Sequence, residues 1–155
     1  MVHYRRADLT DVETLVNLRI QFLYEAEKID KEIPSDLLEE SLTDYFTVHL
    51  RNGAFIAWFA VEDNLTVATS GVSFSIVPPS FGNISGAEAY IMNMYTLPRA
   101  RRKGMGTILL GKLMGDIAKK KIKKVRLLTT ELGKSMYLKA GFKENGSEMV
   151  LNLEE

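Results

Sequence analysis

The chain has 155 residues, 46% hydrophobic and 26% charged, which suits one domain with its own core. Twenty Lys and Arg offset twenty Asp and Glu, so no global field draws the protein to nucleic acid or an anionic membrane. It has no cysteine, which excludes disulfides, thiolate metal sites and an acyl-cysteine intermediate. No apolar run reaches the ~18 residues of a membrane span, and the start lacks a secretory pattern, so a soluble cytoplasmic protein without a metal centre is expected.

Residues 2–6 read as a strand. Thr10 and Glu13 have the Thr-x-x-Glu spacing that satisfies the free amides at a helix start. Val12, Leu15, Val16, Ile20 and Leu23 then follow a three-and-four spacing to about Ala26. Arg19 intrudes on that stripe and needs an acidic or carbonyl partner. After a charged connection, Pro34-Ser35 opens a second helix that Arg51-Asn52-Gly53 ends. Residues 54–61 and 65–77 are rich in aromatic and β-branched residues and predict an antiparallel hairpin.

Residues 78–83 are a loop by composition, and residues 89–97 resume strand character until Pro98 removes a backbone donor. A helix from Gly104 or Met105 buries Met105, Ile108, Leu109, Leu113 and Ile117 and ends in Lys119-Lys120-Lys121. Residues 125–130 form the next strand, so residues 89–130 are a strand-helix-strand unit with parallel strands and a right-handed crossover. A short helix over 132–140 ends at Gly141, and residues 142–144 and 148–153 flank Asn145-Gly146 as a closing hairpin.

Chemistry concentrates after Pro98. Arg101-Arg102-Lys103-Gly104-Met105-Gly106 sets three cationic side chains beside the unpaired amides of a helix start, an arrangement suited to a pyrophosphate. Gly104 and Gly106 leave the backbone nitrogens approachable. The Arg99–Lys103 and Lys119–Lys124 runs lack the interleaved aromatics of a single-strand nucleic-acid surface.

Here the sequence resembles the GNAT superfamily of N-acetyltransferases, whose pyrophosphate motif Gln/Arg-x-x-Gly-x-Gly/Ala is matched by Arg101, Gly104 and Gly106, with Pro98 three residues ahead. A second block, Tyr137-Leu138-Lys139-Ala140-Gly141-Phe142, matches the family's aromatic hydroxyl, basic residue and Gly-Phe. The resemblance implies a mixed, mostly antiparallel twisted sheet of six to seven strands flanked by about four helices, built as one acyltransferase domain over 1–155. It further implies acetyl-CoA as cofactor, main-chain pairing of its pantetheine arm with Met94, Tyr95 and Thr96, and pyrophosphate contacts extending to Thr107. Two departures stand out. Thr130 occupies a position that is Asn in many members, and Asn93 stands where many carry a carboxylate.

Acetyl transfer to an amine needs a proton for the departing thiolate, and Tyr137 is the candidate donor. Gly133, one turn earlier, leaves the helix face beneath it open for a thioester. No general base is evident, and water-mediated deprotonation is expected. Arg19, Tyr24, Glu25 and Asn93 are candidates for binding a small-molecule or peptide amine. Two alternatives remain at this stage: a non-catalytic acyl-CoA sensor, and a dinucleotide-binding module, which lacks its third glycine because Leu109 stands there. Acceptor identity, acyl preference and pairing as a homodimer stay open.

Overall fold

A computed structural model describes residues 1–153. In chain order these form β1 (Val2–Arg6), α1 (Val12–Ala26), α2 (Asp36–Asn52), β2 (Phe55–Glu62), β3 (Leu65–Ile76), β4 (Ala87–Thr96), α3 (Met105–Lys119), β5 (Lys124–Leu127) and α4 (Lys134–Lys139). Short 3-10 turns at Leu9–Asp11 and Pro98–Ala100 precede α1 and follow β4. The five strands lie in sequence order in one sheet, antiparallel except for the β4–β5 pair. That mixed sheet and its four helices are the expected fold class. The lone parallel pair removes the dinucleotide-binding alternative, which needs a doubly wound parallel sheet.

Local chemistry explains most boundaries. The cap before α1 is Asp8 with Asp11, not Thr10 with Glu13. Asp8 takes the Thr10 amide at 2.8 Å, and Asp11 reaches back to the Asp8 amide at 2.8 Å. Arg5 adds paired bonds of 2.7 and 2.8 Å to Asp11, and this contact holds the Asp11 carboxyl below its ordinary range. Gly53 ends α2 in the left-handed region expected of a C-terminal glycine. Asp63 and Asn64 both have positive φ, the geometry of a two-residue hairpin turn between β2 and β3.

The sheet has five strands among the described residues, fewer than the six to seven expected. Residues 142–144 and 148–153 form no strand, so the closing hairpin is not made. Met149, Val150, Leu151 and Leu153 are exposed there, and the sequence's alternation finds no ladder to join. β5 also stops at Leu127 rather than residue 130.

The sheet is covered on both faces. α1 and α2 bury Leu15, Leu18 and Phe46 against Phe55, Ala57 and Phe59. On the opposite face, α3 and α4 bury Leu110, Leu113, Ile117 and Tyr137 against Val72, Ala89 and Ile91. No helix among the described residues is long and apolar enough to cross a membrane.

One polar group in this second layer was not foreseen. Asp116 is 6% exposed, accepts the Trp58 indole N–H at 2.7 Å and pairs with Arg6 at 3.0 Å, tying α3 to β2 and β1. Asp116→Ala strands the indole donor and should lower unfolding free energy by about 1–3 kcal/mol. A denaturant titration followed through Trp58, the chain's sole tryptophan, checks this. Arg6→Ala, at the solvent end of the same contact, should cost less than about 1 kcal/mol.

Candidate functional site

The site begins where β4 outruns its parallel neighbour. The β4–β5 register runs from Glu88–Lys124 to Ile91–Leu127 and stops, while β4 continues to Thr96. Residues 92–96 therefore present an unpaired main-chain edge on that side. Opposite, the β3 register shifts between Thr69 and Gly71, so residues 93 and 94 together face Ser70 in a β-bulge. Asn93 sits in it with φ 57°, a conformation asparagine tolerates better than most residues.

Beyond Thr96 the chain turns through Pro98–Ala100 into the glycine-punctuated loop. Gly104 caps α3 in the left-handed region, and the amides of Met105, Gly106 and Thr107 have no intrahelical acceptor; the first helical bond runs from Ile108 to the Gly104 carbonyl at 3.3 Å. No side-chain cap is present. A Cβ built on Gly104 would point into open space, whereas one on Gly106 would lie 3.1 Å from Met136 Sδ. The two glycines thus differ in role: Gly104 supplies backbone conformation, and Gly106 admits α4.

Two of the three loop cations are engaged. Arg101 donates from Nε to the Thr96 carbonyl at 2.9 Å, pairs with Glu25 at 2.7 Å and lies over the Tyr95 ring. Tyr95 donates its hydroxyl to the same Glu25 at 3.1 Å. This latch joins the end of β4, the last turn of α1 and the loop. Lys103 pairs with Glu62 at 3.2 Å. Arg102 is exposed and has no ion pair among the described residues.

Across the opening stands Tyr137 on α4, 7% exposed, in one apolar cluster with Met94 and Leu127 and edge-on to Phe142. Burial pushes its hydroxyl up to about 12. The space over Gly133 is filled by Tyr137 itself: a Cβ there would come 3.1 Å from Cε2 of the tyrosine ring. Gly133 therefore makes room for the phenol rather than for a ligand. Thr107, in the first turn of α3, and Thr130, just past β5, are both exposed.

The acceptor-side candidates divide. Tyr24 donates its hydroxyl to the Ile33 carbonyl, and Glu25 is taken up by Arg101 and Tyr95. Arg19 finds a carbonyl partner, as its place on an apolar stripe demands: Nη1 donates to Asn93 Oδ1 at 2.9 Å. Burial lowers the Arg19 pKa. Glu88, 7% exposed, is held by Arg126 at 3.2 Å and Lys124 at 3.8 Å at the paired end of β4. No group of three or more His, Cys, Asp or Glu that could hold a metal occurs among the described residues.

The sequence pattern of the acetyltransferase (GNAT) family matches residues 15–142, most of the chain. The chain belongs to the GNAT acetyltransferase family. A predicted acetyltransferase from Clostridium acetobutylicum, whose crystal structure is with acetyl-CoA, is 35% identical, with a TM-score of 0.90 over 98% of this chain and 96% of that one. A GCN5-related N-acetyltransferase from Ralstonia eutropha, 22% identical, aligns over 99% of each chain at a TM-score of 0.89. Glucosamine-6-phosphate N-acetyltransferase from Arabidopsis thaliana, 18% identical, has a TM-score of 0.74 over 99% of each chain. These last two show the fold. No curated relative matches. Membership places this GNAT protein among acetyl-CoA-dependent acetyltransferases acting on amines.

The different roles of the two glycines make a stability prediction. Gly104→Ala should cost about 1–2 kcal/mol, because an L side chain is strained at φ 79°. Gly106→Ala, inside α3, gains helix propensity against a contact with a flexible thioether, and should stay within about 0.5 kcal/mol of wild type. Thermal unfolding of both variants without ligand measures the difference.

Proposed function

We propose that the protein transfers an acetyl group from acetyl-CoA to a primary amine of a small molecule or peptide, by direct attack within a ternary complex. The observation that carries this reading is continuity. The unpaired edge at residues 92–96 leads through the Arg101 latch to the free amides of Met105, Gly106 and Thr107, so main-chain donors and acceptors run from the sheet centre to a helix start. An extended pantetheine arm that pairs as a strand would follow the first part, and a pyrophosphate would suit the second.

Acetyl-CoA, when bound, supplies the acyl group as a thioester. Residues 94–96 would hold the arm, and the amides of 105–107, with Arg102 and Lys103 nearby, would take the pyrophosphate. Arg101 fixes the geometry between them through Thr96 and Glu25 rather than meeting phosphate itself. With an acceptor amine attacking the bound thioester through its lone pair and displacing the thiolate, Tyr137 would give its phenolic proton to that thiolate. The proton shed by the new amide would return to the Tyr137 phenolate through water, which restores the acid, since the one buried carboxylate on β4, Glu88, is already paired with Arg126.

Acetyl-CoA at a hundred times its dissociation constant should stabilise the protein by about 2.7 kcal/mol, read as a thermal shift, and NADH should give none. Tyr137→Phe should lower kcat roughly 100-fold or more while leaving the acetyl-CoA shift intact. Gly104→Val should abolish that shift. With Tyr137 at about 12, its acid form persists through ordinary alkaline assays, so kcat should not fall between about pH 8 and about pH 10. An unchanged rate in the Phe variant would take Tyr137 out of the reaction.

A further inference from the structure

Where β4 meets α1, Asn93 on the strand and Arg19 on the helix keep hydrogen-bonding capacity to spare, and the Thr69 hydroxyl of β3 is also without a partner among the described residues. Asn93 is 2% exposed, and its Nδ2 has no partner. Its orientation is fixed, because Oδ1 accepts from Arg19 at 2.9 Å and a flipped amide would set donor against donor. The free N–H pair of Asn93 thus lies beside the Arg19 guanidinium.

Arg19 for its part has no carboxylate within ion-pair distance among the described residues. Its sole recorded partner is the neutral Asn93 amide, and the ring of Phe22 lies 5.8 Å from its guanidinium carbon. Glu27, at the end of α1, acts on the same guanidinium from beyond ion-pair distance, and Tyr45 on α2 and Tyr90 on β4 border it as phenols held neutral by burial. A half-buried cation with no contacting carboxylate and an orphaned amide donor make a local surplus of donors. A leftover buried donor is costly, so an acceptor oxygen that edges Arg19 aside would relieve both groups.

The place matters as much as the chemistry. Asn93 lies two residues past the last β4–β5 pair, in the unpaired stretch of β4, and its side chain meets α1 on the face opposite Met94 and Tyr137. A group held there would be on the acceptor side of the sheet. One guanidinium, already in the field of Glu27, balances at most a single negative charge, which favours a carboxylate over a dianionic phosphate.

We propose that Arg19 and Asn93 form a carboxylate-binding subsite, so that the amine acetylated is one that also carries a carboxylate, as free amino acids do. This rests on the acetyl-transfer reading above and narrows its substrate class.

The test compares amino acids with the amines left by their decarboxylation, as matched pairs in acetyl-CoA turnover. Wild type should favour the carboxylate member by about 100-fold in kcat/KM. Arg19→Met should narrow that ratio to about 5-fold or less, through the KM of the carboxylate member. Asn93→Asp keeps an acceptor for Arg19 and tolerates the positive φ, yet adds a negative charge, so it should reduce the ratio at least as far. Both variants should keep the wild-type thermal shift with acetyl-CoA, which separates loss of the subsite from loss of the fold. Equal use of both members by wild type, or an equal loss on both in Arg19→Met, overturns the proposal. If no amine is turned over, the transfer reading fails by itself, and the same pairs are scored by thermal shift on the acetyl-CoA-bound protein. Stabilisation by the carboxylate members alone, lost in Arg19→Met, sustains the subsite; no difference within pairs sinks it.

Discussion

A central strand ordinarily satisfies its backbone on both sides, and β4 does so only as far as Ile91. From residue 92 onward one neighbour is gone, because β5 is only Lys124–Leu127 and its successor turns away towards α4. Polar main-chain groups near a protein's middle need partners, so a half-paired strand there is either solvated or completed by something that brings its own amides. The rest of the site is arranged around that vacated edge. α3 starts just past its end, α4 sets an aromatic hydroxyl across from it, and the bulge at Asn93 bends it.

The parts are also tied mechanically. Arg101 binds a β4 carbonyl and a carboxylate on α1, while Tyr95 grips that same carboxylate from the strand. A cationic side chain whose place in the motif points to a phosphate is, in this structure, a brace between three elements. The charge that remains available at the loop is that of Arg102, beside main-chain donors that need no charge to bind an anion.

Much of this was legible beforehand, for identifiable reasons. The α2 boundaries follow from Pro34-Ser35 and Gly53, the β2–β3 hairpin from the short break between two β-rich runs, and α3 from a regular apolar repeat behind Gly104. These are local signals, read within a few residues. What escaped was non-local. Nothing in the spacing of residues 142–153 says whether their alternating apolar pattern has a strand to pair with, and here it has none. The bulge could not be seen, since an extra residue in a strand leaves composition unchanged. Nor could the partners of Asp116, which lie 58 residues away on β2 and 110 away on β1. Arg19 is the intermediate case: its intrusion on an apolar stripe announced a need for a partner, but not that Asn93 would meet it.

The bulge has one further consequence. Along a regular strand, residues of one parity all face the same way, yet in β4 Ala89 and Ile91 lie against the α3 layer and so does Met94, while Tyr90, Met92 and Tyr95 lie against α1 and α2. One inserted position exchanges odd for even. The same strand can thus show an oily floor to one helical layer along its whole length and, past the exchange, turn a row of hydrogen-bonding side chains towards the other. Without that change of step, the phenol of Tyr95 would point into the oily layer and the Glu25 carboxylate would lose the strand's grip.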